Sequence, residues 1–469
     1  MKFKAGGGIK PPPEILMLTS NREIKEFRDY PQLITAYAEI KKASAAANAS
    51  LGILDPSDAE AIIKACEEII ENPYRSELTT GTLHINGLAY NQAFNRLLAA
   101  KSGVLEEKIN AGQGYEDVFN TAQNLVVYRA INLTRSGVDN LLLTLRNKAV
   151  EFRNEMHIAR SHLQESLPVS WGAVFGAMYI RLKRSADELQ RVQDLFLGVN
   201  LGLTPIDSFT HSAPGFNALA VNNLRKVTGL PLHSVPQDDD PVLGSSYVEA
   251  LEGDDRFIRL SSVLRLIALN LARLGNDFYI YSSGPRCGIS ELSLPAIAPG
   301  STIMPGKINP SMPELMLQVM HQTVGIDQLA AYSFVEEDID IGSSNGWVFF
   351  QLLEILEIIG RGCNKFVEKC VSGIRVKHDE SSAHLESAAS LISLAAAVFG
   401  REIAEKVLAV ASSQNLSVPQ ALLQIEEVTA EDAEALFNFD RFSNPQELTR
   451  FLFRLLKAGK GGHKDETGT

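Results

Sequence analysis

Between Gly300 and Glu314 the chain sets Ser301, Lys307 and Asn309 on one segment punctuated by Gly300, Pro305, Gly306, Pro310 and Pro313. A hydroxyl, an ammonium and an amide on so short a loop suit a carboxylate. The glycines let backbone N–H groups turn toward a ligand while the prolines fix the geometry between them. A helix expected to open around Pro313 and Glu314 adds its positive end. Read from these residues alone, the segment is either a carboxylate site or a plain surface turn. His162, within Ala159-Arg160-Ser161-His162-Leu163-Gln164-Glu165, is a second group able to exchange a proton near neutral pH, although a lone histidine near a helix end is more often structural than catalytic.

The elements that must position these groups read as helices. Prolines are absent from 74 to 167, from 242 to 284 and from 314 to 418, which leaves room for helices well beyond the average length. Leu33, Tyr37, Ile40 and Ala47 recur at helical spacing before Leu51-Gly52, and a second helix follows with Asp55 as its cap and Pro56 at its first position. Its buried stripe is Ala59, Ile62, Ile63, Cys66, Ile69 and Ile70. Asp117 to Met156 reads as one very long helix, and 245–280, 314–335 and 345–370 read likewise. No run of alternating strands with hairpin turns appears, so the fold class is all-α. Helices this long cannot bury their stripes in a small monomer and should pack as a bundle continued across subunits.

With 469 residues, 45% of them apolar, the chain can bury a large core, and its length suggests about three domains. A net charge of -12 speaks against nucleic acid or an anionic membrane as partner. Cys66, Cys287, Cys363 and Cys370 show no paired framework, no zinc site is suggested, and no apolar run reaches membrane-spanning length, so a cytoplasmic protein with reduced thiols is expected. No cofactor motif is visible, and the tail from Lys457 to Thr469 is expected to be disordered.

The 281–314 segment, with Ser283-Gly284-Pro285-Arg286-Cys287-Gly288 ahead of the loop, resembles the signature of the fumarase/aspartase superfamily. The resemblance runs from about residue 28 to 438 and extends to Leu416-Ser417-Val418-Pro419 and Val428-Thr429-Ala430-Glu431-Asp432 near the C-terminus. It implies a helical N-terminal domain over 1–135, a central long-helix bundle over 136–372 and a small helical domain over 373–469, assembled as a homotetramer. It further implies that Ser301 is the catalytic base, that Lys307 and Asn309 stabilise a doubly charged aci-carboxylate, and that a mobile lid closes over the site. Thr302 takes the place of the serine commonly found next. The run at Arg160–Val169 resembles the family's Arg-Thr-His-Leu-Gln-Asp segment, with Ser161 keeping the hydroxyl of the threonine. By that pattern His162 faces Glu314 of another subunit, and Thr82 and Asn86, in Thr80-Gly81-Thr82-Leu83-His84-Ile85-Asn86, bind substrate.

The chain also departs from the pattern. Where fumarate-handling relatives carry Ser-[Ser/Thr]-Asn-Asp, it has Gly114-Tyr115-Glu116-Asp117. A carboxylate in place of a neutral amide repels a second substrate carboxylate and attracts a cation. Leu197–Leu203 replaces a Gly-Thr-rich run and is followed by an unusual segment containing His211, and Glu336, Glu337, Asp338 and Asp340 form an acidic stretch that reads as a solvated face rather than a metal site. The expected activity is a carbon–nitrogen lyase acting on a small aspartate-like acid, with Glu116 meeting a cationic group and Tyr115 offering a stacking surface. A hydratase of a malate-like acid and an inactive oligomeric scaffold are the alternatives.

Overall fold

Helix α1 (Pro31–Ser50) starts at a proline, which is pre-set for the first helical position, and buries Leu33, Tyr37, Ile40 and Ala47 as their spacing predicts. The computed structural model describes residues 29–80, 90–203, 212–235, 255–335 and 346–459. Thr82, Asn86, His211, the acidic stretch 336–340 and the tail beyond residue 459 lie outside the described residues. Helix α2 (Pro56–Glu71) buries Ala59, Ile62, Cys66 and Ile69, while Ile63 and Ile70 stay half-buried. Asp55 precedes it without capping it through its side chain; its carboxylate is 3.4 Å from Lys108 Nζ instead.

After α3 (Tyr90–Ser102) and the single turn α4 (Glu106–Ile109), the expected long helix appears as α5, Glu116–Glu151. It stops five residues short of Met156, where an antiparallel hairpin of β1 (Met156–Ser161) and β2 (Gln164–Ser170) begins. Helix α6 (Trp171–Gln193) leads to the two-residue strand β3 (Gly198–Val199). Helix α7 (Phe216–Thr228) and β4 (His233–Ser234), which pairs in parallel with β3, follow. The other long segments form α8 (Asp255–Tyr281), α9 (Ser311–Val335) and α10 (Gly346–Lys369). Strand β5 (Leu292–Ser293), ahead of α9, pairs antiparallel with β6 (Arg375–Val376). The C-terminal part comprises α11 (His378–Ser387), α12 (Ile392–Phe399), α13 (Arg401–Gln414), α14 (Val418–Leu422), α15 (Ala430–Leu436) and α16 (Pro445–Gly459). A break at Ala388 separates α11 from the segment leading into α12, and Lys457 to Gly459, expected to be disordered, still belong to α16.

The chain forms two compact units, and α5, α6, α8, α9 and α10 each contribute residues to both. In the unit holding Met1–Arg135, Asp187–Leu266 and Gln322–Ile358, α1 packs on α2 and α7, and Thr134 Oγ1 donates to the Leu356 carbonyl at 2.8 Å. In the unit holding Ser136–Ala186, Ile267–His321 and Ile359–Thr469, the rings of Phe152, Phe175, Phe278 and Phe366 make successive contacts at 5.5, 5.7 and 6.0 Å. Here α5 and α10 approach backbone to backbone, since a Cβ on Gly137 would lie 2.2 Å from the Gly360 carbonyl oxygen. Helices α11 to α15 enclose a second apolar core of Leu391, Val407, Leu422 and Leu436 that includes Ile158 of β1. No single helix among the described residues is long and apolar enough to cross a membrane.

Candidate active site

The Ser301 loop is closed at its neck and open at its tip. Gly300 N–H donates to the Lys307 carbonyl at 2.8 Å, and Asn309 Nδ2 donates to the Gly300 carbonyl at 3.1 Å. Only glycine fits there, because a Cβ would sit 2.7 Å from Lys307 O and 2.8 Å from the Asn309 nitrogen. Within the loop Ser301 Oγ accepts the N–H groups of Ile303 and Met304, each at 3.2 Å. Two backbone donors on one hydroxyl oxygen help to stabilise negative charge that develops on it. Thr302 and Lys307 are exposed and Asn309 is half-buried, so the loop carries its ammonium at the surface next to the start of α9. Glu314 lies in the first turn of α9, which opens at Ser311.

The upstream root of this loop is anchored. Strand β5 pairs with β6, Lys377 N–H donates to the Glu291 carbonyl at 2.8 Å, and Lys377 Nζ donates to Ser290 Oγ at 2.6 Å. Glu291 itself is fully buried and meets three bases. Arg160 reaches both of its oxygens, at 3.1 and 2.5 Å, His384 Nδ1 is 2.7 Å from Oε1, and His157 Nδ1 is 3.3 Å from Oε2. Burial pushes the Glu291 carboxyl up, but His157, Arg160 and His384 together outweigh that and bring it down to about 2. Burial lowers the pKa of His157, which stacks on Trp171 at a ring separation of 4.0 Å. One carboxylate thereby ties β1, the root of the Ser301 loop and α11 together.

Ser161 and His162 sit at the tip of the β1–β2 hairpin, not near a helix end. Ser161 pairs with Gln164, so His162 and Leu163 alone make the turn, with φ of 55° and 60°. Such a two-residue turn needs the left-handed region at both positions, which for non-glycine residues costs about 1–2 kcal/mol each. Both side chains are exposed, Leu163 by 67%. Strain of this kind persists where the surroundings over-determine it, and here β1 is held from behind by the Arg160–Glu291 pair. Beside the turn lies a cavity of about 500 Å³ lined by Arg160, Leu163, Gln164, Glu165, His384 and Ser390.

The structure therefore brings Ser301, Thr302, Lys307 and Asn309 onto one loop and puts Ser161 and His162 on one turn of the same unit. The His162 and Glu314 side chains make no hydrogen bond or ion pair among the described residues. Tyr115 and Glu116 belong to the other unit, at the head of α5, where Tyr115 stacks on Phe119 at 5.7 Å. Sequence reasoning missed Glu291, His157 and His384. Their only signal was the placing of an acid just beyond the Gly/Pro-rich run and of Arg160 inside the histidine motif.

Comparison with known proteins places this arrangement. A family model described as Lyase matches residues 9–325. The chain belongs to this family of lyases, within the fumarase/aspartase superfamily. It is 27% identical to an aspartate ammonia-lyase of a Bacillus species, covering 92% of this chain and 93% of that one. To the aspartate ammonia-lyase of Escherichia coli strain K12 it is 26% identical, with 91% and 90% covered. Among solved structures, a fumarate lyase:delta crystallin from Brucella melitensis superposes with a TM-score of 0.78 at 26% identity, covering 89% of this chain and 94% of that chain. A class II fumarase from Schistosoma mansoni shares the fold with a TM-score of 0.80 at 23% identity, covering 91% and 95%.

Proposed function

We propose that this lyase is of the aspartase type, removing ammonia or a substituted amine from an aspartate-like acid by anti elimination and leaving fumarate or a related alkene acid. The observation that carries the reading is the pair of backbone N–H groups on Ser301 Oγ, at 3.2 Å each, in a loop that also bears Lys307. Similarity to aspartate ammonia-lyases over about nine-tenths of the chain supports the nitrogen leaving group. In the reaction Ser301 Oγ takes the proton from the carbon next to one substrate carboxylate. The electron pair passes into that carboxylate as the aci dianion, which Lys307, Asn309 and the positive end of α9 stabilise. Its return forms the carbon–carbon double bond and expels the amine from the neighbouring carbon.

We also assign Thr82, Asn86, Tyr115 and Glu116 to substrate binding, at the end distal to the reacting carbon, with Glu116 as the partner for a cationic group. Thr302 and Ser161 contribute hydroxyls to the carboxylates. The working assembly is a homotetramer, in which Glu314 of a neighbouring subunit orients His162. Exposed Leu133, Leu143 and Val150 along α5 and Ile180 on α6 are apolar surface that subunit contacts would cover.

The test incubates purified protein with fumarate and a panel of ammonia and substituted amines, beside a water-only control and the Ser301→Ala variant, with mass spectrometry of the products. An amine adduct formed by the native chain and absent from Ser301→Ala is expected. Malate in the water-only tube would replace the reading by a hydratase, and unchanged turnover in Ser301→Ala would remove Ser301 as the base.

A further inference from the structure

Behind Tyr115 and Glu116 lies a polar core that the proposed reaction does not use. Lys41 of α1 is 1% exposed, and its Nζ donates to Asn110 Oδ1 at 3.1 Å. The same oxygen accepts from Asn95 Nδ2 at 3.0 Å and Asn91 Nδ2 at 3.2 Å, both on α3. Asn91 Nδ2 donates in turn to the Gly114 carbonyl at 3.1 Å, while the Gly114 N–H donates to Asp117 Oδ1 at 2.8 Å. Both backbone groups of the residue preceding Tyr115 are therefore gripped by buried side chains from two different helices. Asp117 is fully buried, and its second oxygen accepts the Gly202 N–H at 2.7 Å.

Gly202 and Gly112 have φ of 85° and 73°, and both lie against the ring of Phe216, where a Cβ would come within 2.7 and 3.2 Å. Phe216 is a wedge between the two segments and Asp117 is the strap across them. The segments so joined, 110–117 and 198–203, carry two of the departures from the family's pattern, Gly114-Tyr115-Glu116 and the run at Leu197–Leu203. This core is expensive. Burial pulls the Lys41 amine down to about 7 against the attraction of Asp117 and Cys66, and burial pushes the Asp117 carboxyl up despite the donors of Gly202 and Gly114. An apolar filling would cost less, so stability alone does not account for it.

Resting on the reaction proposed above, we infer that Lys41, Asn91, Asn110 and Asp117 are positioning residues that lock Gly114 and so set Tyr115 and Glu116 against the distal end of the substrate. They touch no substrate themselves. Their removal should loosen substrate binding and leave the Ser301 chemistry in place.

The experiment compares the full-length native chain with Lys41→Met, Lys41→Gln and Asn91→Ala. Amide hydrogen exchange is measured over 112–118 and over 300–309, together with kcat and KM for fumarate at saturating ammonia. Lys41→Met is nearly isosteric and apolar, so it should fold with native far-ultraviolet circular dichroism. Exchange over 112–118 should rise about tenfold in Lys41→Met and Asn91→Ala, the loss expected for one or two net hydrogen bonds, with 300–309 unaltered. KM should rise by a similar factor while kcat stays within about threefold, and Lys41→Gln, which keeps a donor, should recover part of both. Native exchange over 112–118 in the folded variants overturns the clamp. Raised exchange with native KM, or an equal fall in kcat, overturns its role toward substrate. Exchange needs no turnover, so a native chain inert toward fumarate and ammonia would sink the reaction while the clamp is still decided by exchange.

Discussion

At the scale of the residue, a serine hydroxyl is a poor base in water, and the role proposed for Ser301 depends on the company of its oxygen. Two backbone donors at 3.2 Å favour negative charge on that oxygen. Glu116 is the residue on which substrate choice should turn. A carboxylate at the positive start of α5 costs little in the fold, since acids are favoured there, and in the reaction proposed above it selects for positive charge. Glu116→Asn should therefore improve KM for a plain dicarboxylate and worsen it for a cationic substrate, a reversal of roughly tenfold in their ratio, read from competition between the two. Parallel changes for both substrates would place Glu116 away from the ligand.

At the scale of the element, the hairpin and the helix crossings do different work. The β1–β2 hairpin holds its left-handed His162-Leu163 turn because β1 is fastened by Arg160 and His157 to Glu291, so the stiffness lies in the strands and the strain at the tip. The helices instead gain rigidity from close approach. A methyl group on Gly137 would overlap the Gly360 carbonyl, at 2.2 Å. The Gly360 atoms it would meet are all backbone and cannot rotate away. Gly137→Ala should gain about 1 kcal/mol in helix propensity and lose about 3 kcal/mol, the upper end for overpacking, because the contact is with backbone, so urea unfolding should show a net loss. Stabilisation would mean that α5 and α10 slide apart freely.

At the scale of the whole molecule, Glu291 joins segments that are more than 200 residues apart, from His157 to His384. Its folded pKa of about 2 lies below the ordinary value of 4.5. A carboxyl depressed on folding stabilises fully above its unfolded pKa and loses that contribution as pH falls through the folded one. The window is therefore pH 4.5 down to 2, and roughly 3 kcal/mol is at stake there. Glu291→Gln leaves Arg160 buried without its countercharge and should cost about 3–5 kcal/mol at pH 7. Denaturant titrations from pH 7 to 3 should show the native chain losing about 2 kcal/mol of this contribution on acidification and the variant lacking that loss. Parallel pH curves for the two would mean that the cluster stabilises by shape alone.

What the sequence determined by itself was local. Proline-free stretches and apolar spacing located α1, α2, α5, α8, α9 and α10 to within a few residues where they are described, because helix periodicity is written along the chain. The Gly/Pro-punctuated loop and its Ser301, Lys307 and Asn309 were legible for the same reason. The hairpin was not, since His162-Leu163 carries no Asn-Gly or Asp-Gly turn signal and Pro168 sits within β2. Nor was the interruption at Ala388, which no proline or glycine marks. Tertiary structure alone decided that Glu291 gathers Arg160, His157 and His384, and that Lys41 stands behind Gly114 by way of Asn110 and Asn91. Those partners come from segments far apart in the chain. A charge can be kept in a core only where distant elements bring it donors and acceptors, and that meeting is fixed by packing rather than by any pattern along the sequence.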